Sequence, residues 1–518
     1  MSTTGIIALV HEGEGPRAGA RGWAALAVLM LPVLLVSVDN TVLAFALPEI
    51  SLALQPSGAE QLWIIDVYSL VLAGLLVTMG VLGDRFGRRR MLLIGASGFA
   101  VVSALAALAP TAGLLILARA ALGFFGAMLM PSTLSLLRTI FRNRDQRRLA
   151  IAVWASAFSA GSALGPVVGG FLLEHFAWGS VFLVAVPVLI PLLIGGLWLL
   201  PESRDPAPGR VDPIGILLSM AAMIPAVFAI KSFAVDGPNL TAAVLLAAGV
   251  AAGAFFVRRM QRAENPMLDM TLFRRGGFSG AILVNLLSVI ALVGFLYFVS
   301  QQLQLVIGLS PMAAGLALVP GMAAMIVAGL SVVPISRRVP PHIVVPAGLS
   351  LSVLGYVIVA ATAGLGSVGW LLAAFVVLGI GIGAAETISN ELILAHAPPE
   401  KAGAASAVSE TAYELGAVLG TAVLGGIITA FYRGALVVPE GLPPASAAHA
   451  RETLAGAFAE AQELPATIGG ALWDAATAAF GSGVVTTSII GALLVAAAMV
   501  IAILTLRPTP RPVRRGVR

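Results

Sequence analysis

The chain has 518 residues, 59% of them hydrophobic and only 11% charged, where a soluble domain carries roughly 25% charged residues. That balance excludes a water-soluble enzyme, because there are too few charged side chains to coat the several globular surfaces such a length would need. The lack of cysteine excludes disulfides, thiolate metal sites and a cysteine nucleophile, five scattered histidines argue against a metal centre, and the net charge of +5 gains meaning only from where the 30 basic residues sit.

Apolar runs of about 20 residues, enough to cross a bilayer, recur along almost the whole chain. They predict fourteen transmembrane helices with cores at 24–46, 62–83, 91–109, 113–137, 148–172, 178–200, 213–231, 240–257, 278–302, 312–335, 343–362, 369–395, 403–430 and 485–506. The first run is too long for a signal-peptide core, so no cleavage is expected. An even number of crossings puts both termini on one side, and 26 of the 30 basic residues fall on that side. Only Lys231, Arg433 and Arg451 fall opposite, and Arg119 lies inside the fourth run. The positive-inside rule therefore predicts cytoplasmic termini, and the basic tail 507–518 needs no nucleic-acid partner to account for it.

Most connections are short, so successive helices pack antiparallel with no room for a soluble catalytic domain. The exception is the predicted extracellular loop at about 433–484. Its spacing of Leu454, Phe458, Leu464, Ile468, Leu472 and Trp473 reads as two short amphipathic helices broken at Pro465 and Gly469. It is either a hairpin packed on the outer face or a plain spacer.

Two glycine runs reveal an internal repeat. Gly161-Ser-Ala-Leu-Gly165-Pro166-Val-Val-Gly169-Gly170 in the fifth run aligns with Gly416-Ala-Val-Leu-Gly420-Thr-Ala-Val-Leu-Gly425-Gly426 in the thirteenth. The alignment divides the chain into an N-terminal six-helix bundle (1–200), two inserted transmembrane helices (201–260) and a C-terminal six-helix bundle (261–518). Glycine at such spacing lets helices approach closely, and Pro166 removes one helical hydrogen bond. The alignment also sets Glu410 and Glu414 against Ala155 and Ser159. Two carboxylates four residues apart share one helix face, and each costs at least a few kcal/mol in an apolar span, so these two are read as functional.

Six acids lie within or at the ends of spans: Asp39, Asp66, Glu386, Glu391, Glu410 and Glu414. Counting from the span ends puts Asp39 and Arg119 at similar depth, roughly 10 Å in at 1.5 Å per residue; a buried arginine beside Asp39 would favour its charged form, whereas desolvation would favour the protonated one. Glu386 and Glu410 come out at similar depth on adjacent helices. Asp66 stands between Trp63 and Tyr68 near the outer mouth, and aromatic faces beside a carboxylate suit a lipophilic cation. Glu391, near the cytoplasmic end, is free to reach water.

With these residues in view, the sequence resembles the major facilitator superfamily and, within it, the fourteen-helix drug/proton antiporters. Gly80-Val-Leu-Gly83-Asp84-Arg85-Phe-Gly87-Arg88-Arg89-Arg90 is similar to the superfamily signature between the second and third helices. Arg119-Ala-Ala-Leu-Gly123 resembles its second motif, with Leu122 where glutamine is usual, and the run Gly161 to Gly170 resembles the antiporter motif. Asp39-Asn-Thr-Val42, Pro266-Met-Leu-Asp269, Gln304 to Pro311, and Gly403 to Gly426 with Glu410 are similar to further stretches of that family.

The resemblance implies an all-α major facilitator fold in the bacterial cytoplasmic membrane. It implies a monomer with no cofactor, driven by the proton motive force, exporting lipophilic, mainly cationic drugs by alternating access. Asp39, Glu410, Glu414 and Arg119 become the proton-coupling residues, and Asp39, Trp63, Asp66, Tyr68, Glu386 and Glu410 the substrate-binding ones. Glu386 matches no family position and enters on depth alone. Gly83, Asp84, Arg85, Gly87 and Arg88 would form a cytoplasmic latch, and Gly161, Gly165, Pro166, Gly169 and Gly170 a bend. The rival readings are a dedicated exporter of one antibiotic, lipid or metabolite, and a channel, which gains nothing from paired bundles with antiporter glycines. No Gly-x-x-x-x-Gly-Lys loop is present to bind ATP.

Overall fold

The computed structural model describes residues 16–204, 212–237, 239–263, 270–336, 338–363, 367–396 and 402–506. Pro266–Asp269, Lys401 and the tail 507–518 lie outside the described residues. A first group of helices comprises α1 (Ala20–Leu54), α2 (Gly58–Phe86), α3 (Arg88–Ala106), α4 (Ala112–Ile140), α5 (Arg144–His175), α6 (Ser180–Leu183) and α7 (Ala185–Leu199). The hairpin α8 (Pro213–Asp236) and α9 (Leu240–Arg262) follows. A second group comprises α10 (Gly276–Gln301), α11 (Pro311–Ser336), α12 (Pro341–Thr362), α13 (Val368–His396), α14 (Ala402–Leu419) and α15 (Gly426–Ala435). Two short helices, α16 (Pro444–Glu452) and α17 (Leu454–Glu463), precede the final α18 (Ala466–Thr505).

Polar side chains set the helix starts. Ser57 and Glu60 form a reciprocal capping box at α2, and Thr111, Asp212 and Asn239 each accept a backbone N–H at the starts of α4, α8 and α9. Among the described residues thirteen helical segments are long and apolar enough to span a membrane. The fifth predicted run, 148–172, lies within α5, which is not one of the thirteen. The sixth is interrupted at Val184, between α6 and α7.

Three expectations are corrected. The last span begins at Ala466, not near 485: Pro465 ends the preceding loop, but Gly469 does not break the helix. It sits inside α18 where a Cβ would come within 2.2 Å of the Ala461 carbonyl oxygen, so its role is close packing on α17. Lys231, expected on the outer side at the end of the run 213–231, lies inside α8, which continues to Asp236, and is 3% exposed. Asp39 sits near the middle of α1, because that helix continues through the polar-ended stretch to Leu54.

Two hydrophobic cores result. One gathers Leu29, Phe99, Leu122 and Leu189 from the first group, and the other Phe295, Phe298, Tyr356 and Phe375 from the second. Lipid is as apolar as leucine, so helix association here rests on close packing and polar contacts rather than on exclusion of water. The glycine repeat supplies that closeness twice. A Cβ on Gly165 would fall 1.9 Å from the Thr41 hydroxyl of α1, and one on Gly420 would fall 2.8 Å from the Ile290 carbonyl oxygen of α10. Thus α5 lies on α1 as α14 lies on α10. The second glycine run has one residue more than the first, and the chain absorbs it as a π-helical turn over Gly420–Gly425.

The starts of α1 and α5 and the ends of α4 and α7 meet at one end of the molecule, the basal end. There Ala18 exchanges hydrogen bonds with Gln146, Trp23 packs on Phe141, and Arg21 donates to the Trp198 carbonyl. The two groups meet at the opposite, distal end. Glu174 of α5 accepts from the Ser310 hydroxyl at 2.8 Å and from the Met312 amide at 3.1 Å. Glu452 of α16 accepts from the Gly58 amide of α2 and pairs with Arg433 of α15. The 433–484 segment is therefore packed structure at the distal end, not a spacer.

Candidate functional site

Between the two groups lies a cavity lined by α1, α2 and α4 on one side and α10, α11, α13 and α14 with its π turn on the other. Leu292, Val293, Leu296, Met322 and Met325 give it apolar walls, and Asp66, Arg119 and Glu386 are the charged residues among its lining.

Arg119 is 1% exposed and fully engaged. Its Nη1 donates to Asp39 Oδ2 at 2.6 Å, its Nε to the Ile64 carbonyl at 3.1 Å, and its guanidinium lies 4.6 Å from the centre of the Tyr68 ring. Asp39 and Arg119, at similar depth by sequence, are thus paired, with α1, α2 and α4 meeting at one cation. Arg119 lines the cavity and Asp39 stands behind it. Beside Asp39, Asn40 does line the cavity, and its Nδ2 donates to Glu414 Oε1 of α14 at 3.3 Å, a bond that crosses between the two groups. Glu414 is 1% exposed and its second oxygen is buried without a hydrogen-bond partner among the described residues.

The residues expected at an outer mouth separate. Helical geometry puts Asp66 and Trp63 on neighbouring faces but Tyr68 about 200° from Asp66. Asp66 lines the cavity, while Tyr68 is fully buried against Arg119 and Phe99. Trp63 faces α8, with Phe228 at 6.3 Å between ring centres. Between Trp63 and Asp66 comes Lys231, its Nζ 2.9 Å from Asp66 Oδ2 and 4.0 Å from the Trp63 ring centre. Lys231 is the functional candidate that the sequence reading missed. The available signal was its place on the same stripe of α8 as Met223, Val227 and Ile230, all packed at the α2 interface.

On the other side Glu386 of α13 lines the cavity, and its Oε1 is buried without a hydrogen-bond partner among the described residues. Glu410 is half-buried on α14 and does not line the cavity, although the neighbouring Tyr413 and Ala417 do. One level nearer the basal end, Asn390 Oδ1 accepts from Asn285 at 3.0 Å and from Ser409 at 2.6 Å, joining α10, α13 and α14. Glu391 is exposed.

At the basal end, Asp84 Oδ1 accepts from Arg88 at 2.9 Å, and Arg88 reaches Thr139 and Ser203, each at 3.3 Å. Gly87 has φ +115°, a conformation that favours glycine, and its open face lies against the carboxylate of Glu202. Arg85 is exposed, and Gly83 is buried near Ser132 of α4. These motif residues bond within the first group.

A chain of membrane-spanning helices in two groups, joined at one end around a cavity with buried charges, is built as a membrane transporter. The family is equally definite. The chain belongs to the Major Facilitator Superfamily, whose family model matches residues 29–421. It is 57% identical over 482 residues to the multidrug efflux pump LfrA of Mycolicibacterium smegmatis, covering 93% of this chain and 96% of that one. It is 36% identical to the methyl viologen resistance protein SmvA of Salmonella typhimurium, covering 89% and 93% respectively. Its fold is similar to the solved structure of a bacterial homologue of the human lysosomal transporter Spinster, with a TM-score of 0.67 at 18% identity over 94% of this chain and 98% of that one.

Proposed function

We propose that the protein exports lipophilic cations from the cytoplasm in exchange for protons, by alternating access of the central cavity. The observation that carries this reading is the pair of carboxylates Glu386 and Glu414, each with a buried oxygen that has no hydrogen-bond partner among the described residues, at or beside an apolar cavity. A buried carboxylate is stable in two forms, carrying a proton or balanced by a cation alongside. A site of this kind exchanges one for the other. Efflux of multiple drugs and resistance to methyl viologen, the properties that name the two relatives, support the substrate class.

In this reading the termini are cytoplasmic, the basal end faces the cytoplasm and the closed distal end faces outward. Asp39 and Arg119 couple protonation to movement across α1, α2 and α4, and the Asn40–Glu414 bond lets the two groups respond together. Asp84, Arg85, Gly83, Gly87 and Arg88 act as the basal latch when that end closes, and the Gly161–Gly170 run with Pro166 accommodates the bend. Glu410 contributes a further protonation site on the same face as Glu414. Moving one charge through 100 mV yields ~2.3 kcal/mol, and one pH unit yields ~1.4 kcal/mol per proton. Exchange of two protons for one monovalent cation draws on both.

The test is ethidium transport in proteoliposomes with the lumen one pH unit below the bath. The reading predicts accumulation in the acidic lumen that a protonophore abolishes. Accumulation unaffected by the pH gradient contradicts it.

A further inference from the structure

The inserted hairpin places its own cation on Asp66, a residue of the cavity wall. Lys231 is one of only two lysines in the chain, and it is 3% exposed. Its ammonium lies 2.9 Å from Asp66 Oδ2 and 4.0 Å from the centre of the Trp63 ring. A carboxylate beside an aromatic face is the arrangement that recognises an organic cation, and here that arrangement holds the chain's own ammonium. Asp66 is shared, since it pairs with Lys231 on one side and lines the cavity on the other.

A purely structural ion pair accounts poorly for these contacts. Val227 packs with Leu70, Val418 and Ala422, with Trp63, Met223 and Ile230 against them, and this apolar contact joins α8 to α2 without any charge. A buried ion pair at such an interface roughly breaks even against well-packed apolar side chains, whereas the flexible four-carbon stem of lysine allows the ammonium to withdraw and return.

We propose that Lys231 is a resident cation occupying a Trp63–Asp66 subsite that adjoins the cavity through Asp66, and that it is exchanged for the positive group of a cationic substrate. This rests on the reading of the cavity as a cation site. While Lys231 is in place Asp66 adds no net attraction for a cation, so a substrate gains the subsite only by displacing the ammonium. Removing Lys231 unmasks the carboxylate.

The experiment measures binding of tetraphenylphosphonium to the full chain in lipid nanodiscs at pH 8. Lys231→Met is expected to tighten binding at least tenfold, Asp66→Asn combined with Lys231→Met to cancel that gain, and Lys231→Arg to keep the original affinity. An unchanged or weakened affinity in Lys231→Met, or a gain that survives in the double variant, overturns the proposal. A second measurement uses the unaltered protein and so does not depend on how the variants fold. Acylation of Lys231, followed by mass spectrometry against Lys401 as the internal reference, should rise several-fold when tetraphenylphosphonium is added. No change, or protection, overturns the proposal. If the unaltered protein binds no tetraphenylphosphonium at all, the wider reading of the cavity fails with it; binding without either lysine effect removes only the resident cation.

Discussion

Arg119 is a large charged side chain buried to 1% exposure, and Asp39 is the anion that makes its position tenable. Taking the anion away leaves an uncompensated buried guanidinium, a loss of about 3–5 kcal/mol by the usual behaviour of broken buried pairs. Asp39→Asn should therefore lower the thermal unfolding midpoint, and Asp39→Asn with Arg119→Gln should recover much of it, while ethidium efflux stays lost in both. Efflux at the original rate in the double variant would remove the pair from the mechanism. Depth counting set these two residues level because both interrupt long apolar runs. It did not find that Asp39 stands behind the cavity wall, since depth along an axis says nothing about rotation around it. Rotation also separated Tyr68 from Asp66, and it brought Lys231, counted on the outer side at the end of an apolar run, against Trp63.

At the scale of elements, hydropathy located the spans but not their continuations. The stretch from Ala466 to about 485 carries polar and small residues beside its apolar ones, so it reads as loop, yet it continues α18 because its small residues pack on α17. The π turn at Gly420–Gly425 was present in the sequence as one extra residue in the second glycine run, legible only once both runs are seen on their partner helices. The inserted hairpin has its own basal clamp. Asp212 caps α8 and holds Arg259 of α9 through two hydrogen bonds of 2.7 and 2.8 Å, and the bonds from Arg259 keep its carboxyl below the ordinary aspartate range. A depressed carboxylate stabilises fully above its unfolded value of about 3.9, and that contribution disappears as the pH falls through the depressed value. Hydrogen exchange in the first turn of α8 should thus be slow and pH-corrected rates constant above pH 5, rising only in stronger acid. Asp212→Asn should show the faster exchange above pH 5, the two proteins converging in stronger acid. Equal protection in both proteins would show that the clamp contributes nothing.

At the scale of the whole molecule, two helix groups meet at the distal end through Glu174, Ser310 and Met312, with Glu452 bridging Gly58 and Arg433 above. The repeated glycine run pointed to two matching bundles. It carried no sign of which end is closed, because that depends on contacts between residues more than a hundred positions apart. A cysteine-free chain makes the closure testable. Glu174→Cys with Ser310→Cys, oxidised to a disulfide, should hold the distal end shut and arrest ethidium transport, and reduction should restore it. Transport that continues through the cross-linked protein would rule out opening at that end.

The central claim is that the carboxylates at and beside the cavity give up protons as a cation arrives. It is tested most directly by adding tetraphenylphosphonium to the purified protein in a weakly buffered medium near pH 7 and following the pH. The account predicts release of protons in proportion to cation bound, with a smaller release in Glu386→Gln and in Glu414→Gln. Saturable cation binding with no proton release would contradict it.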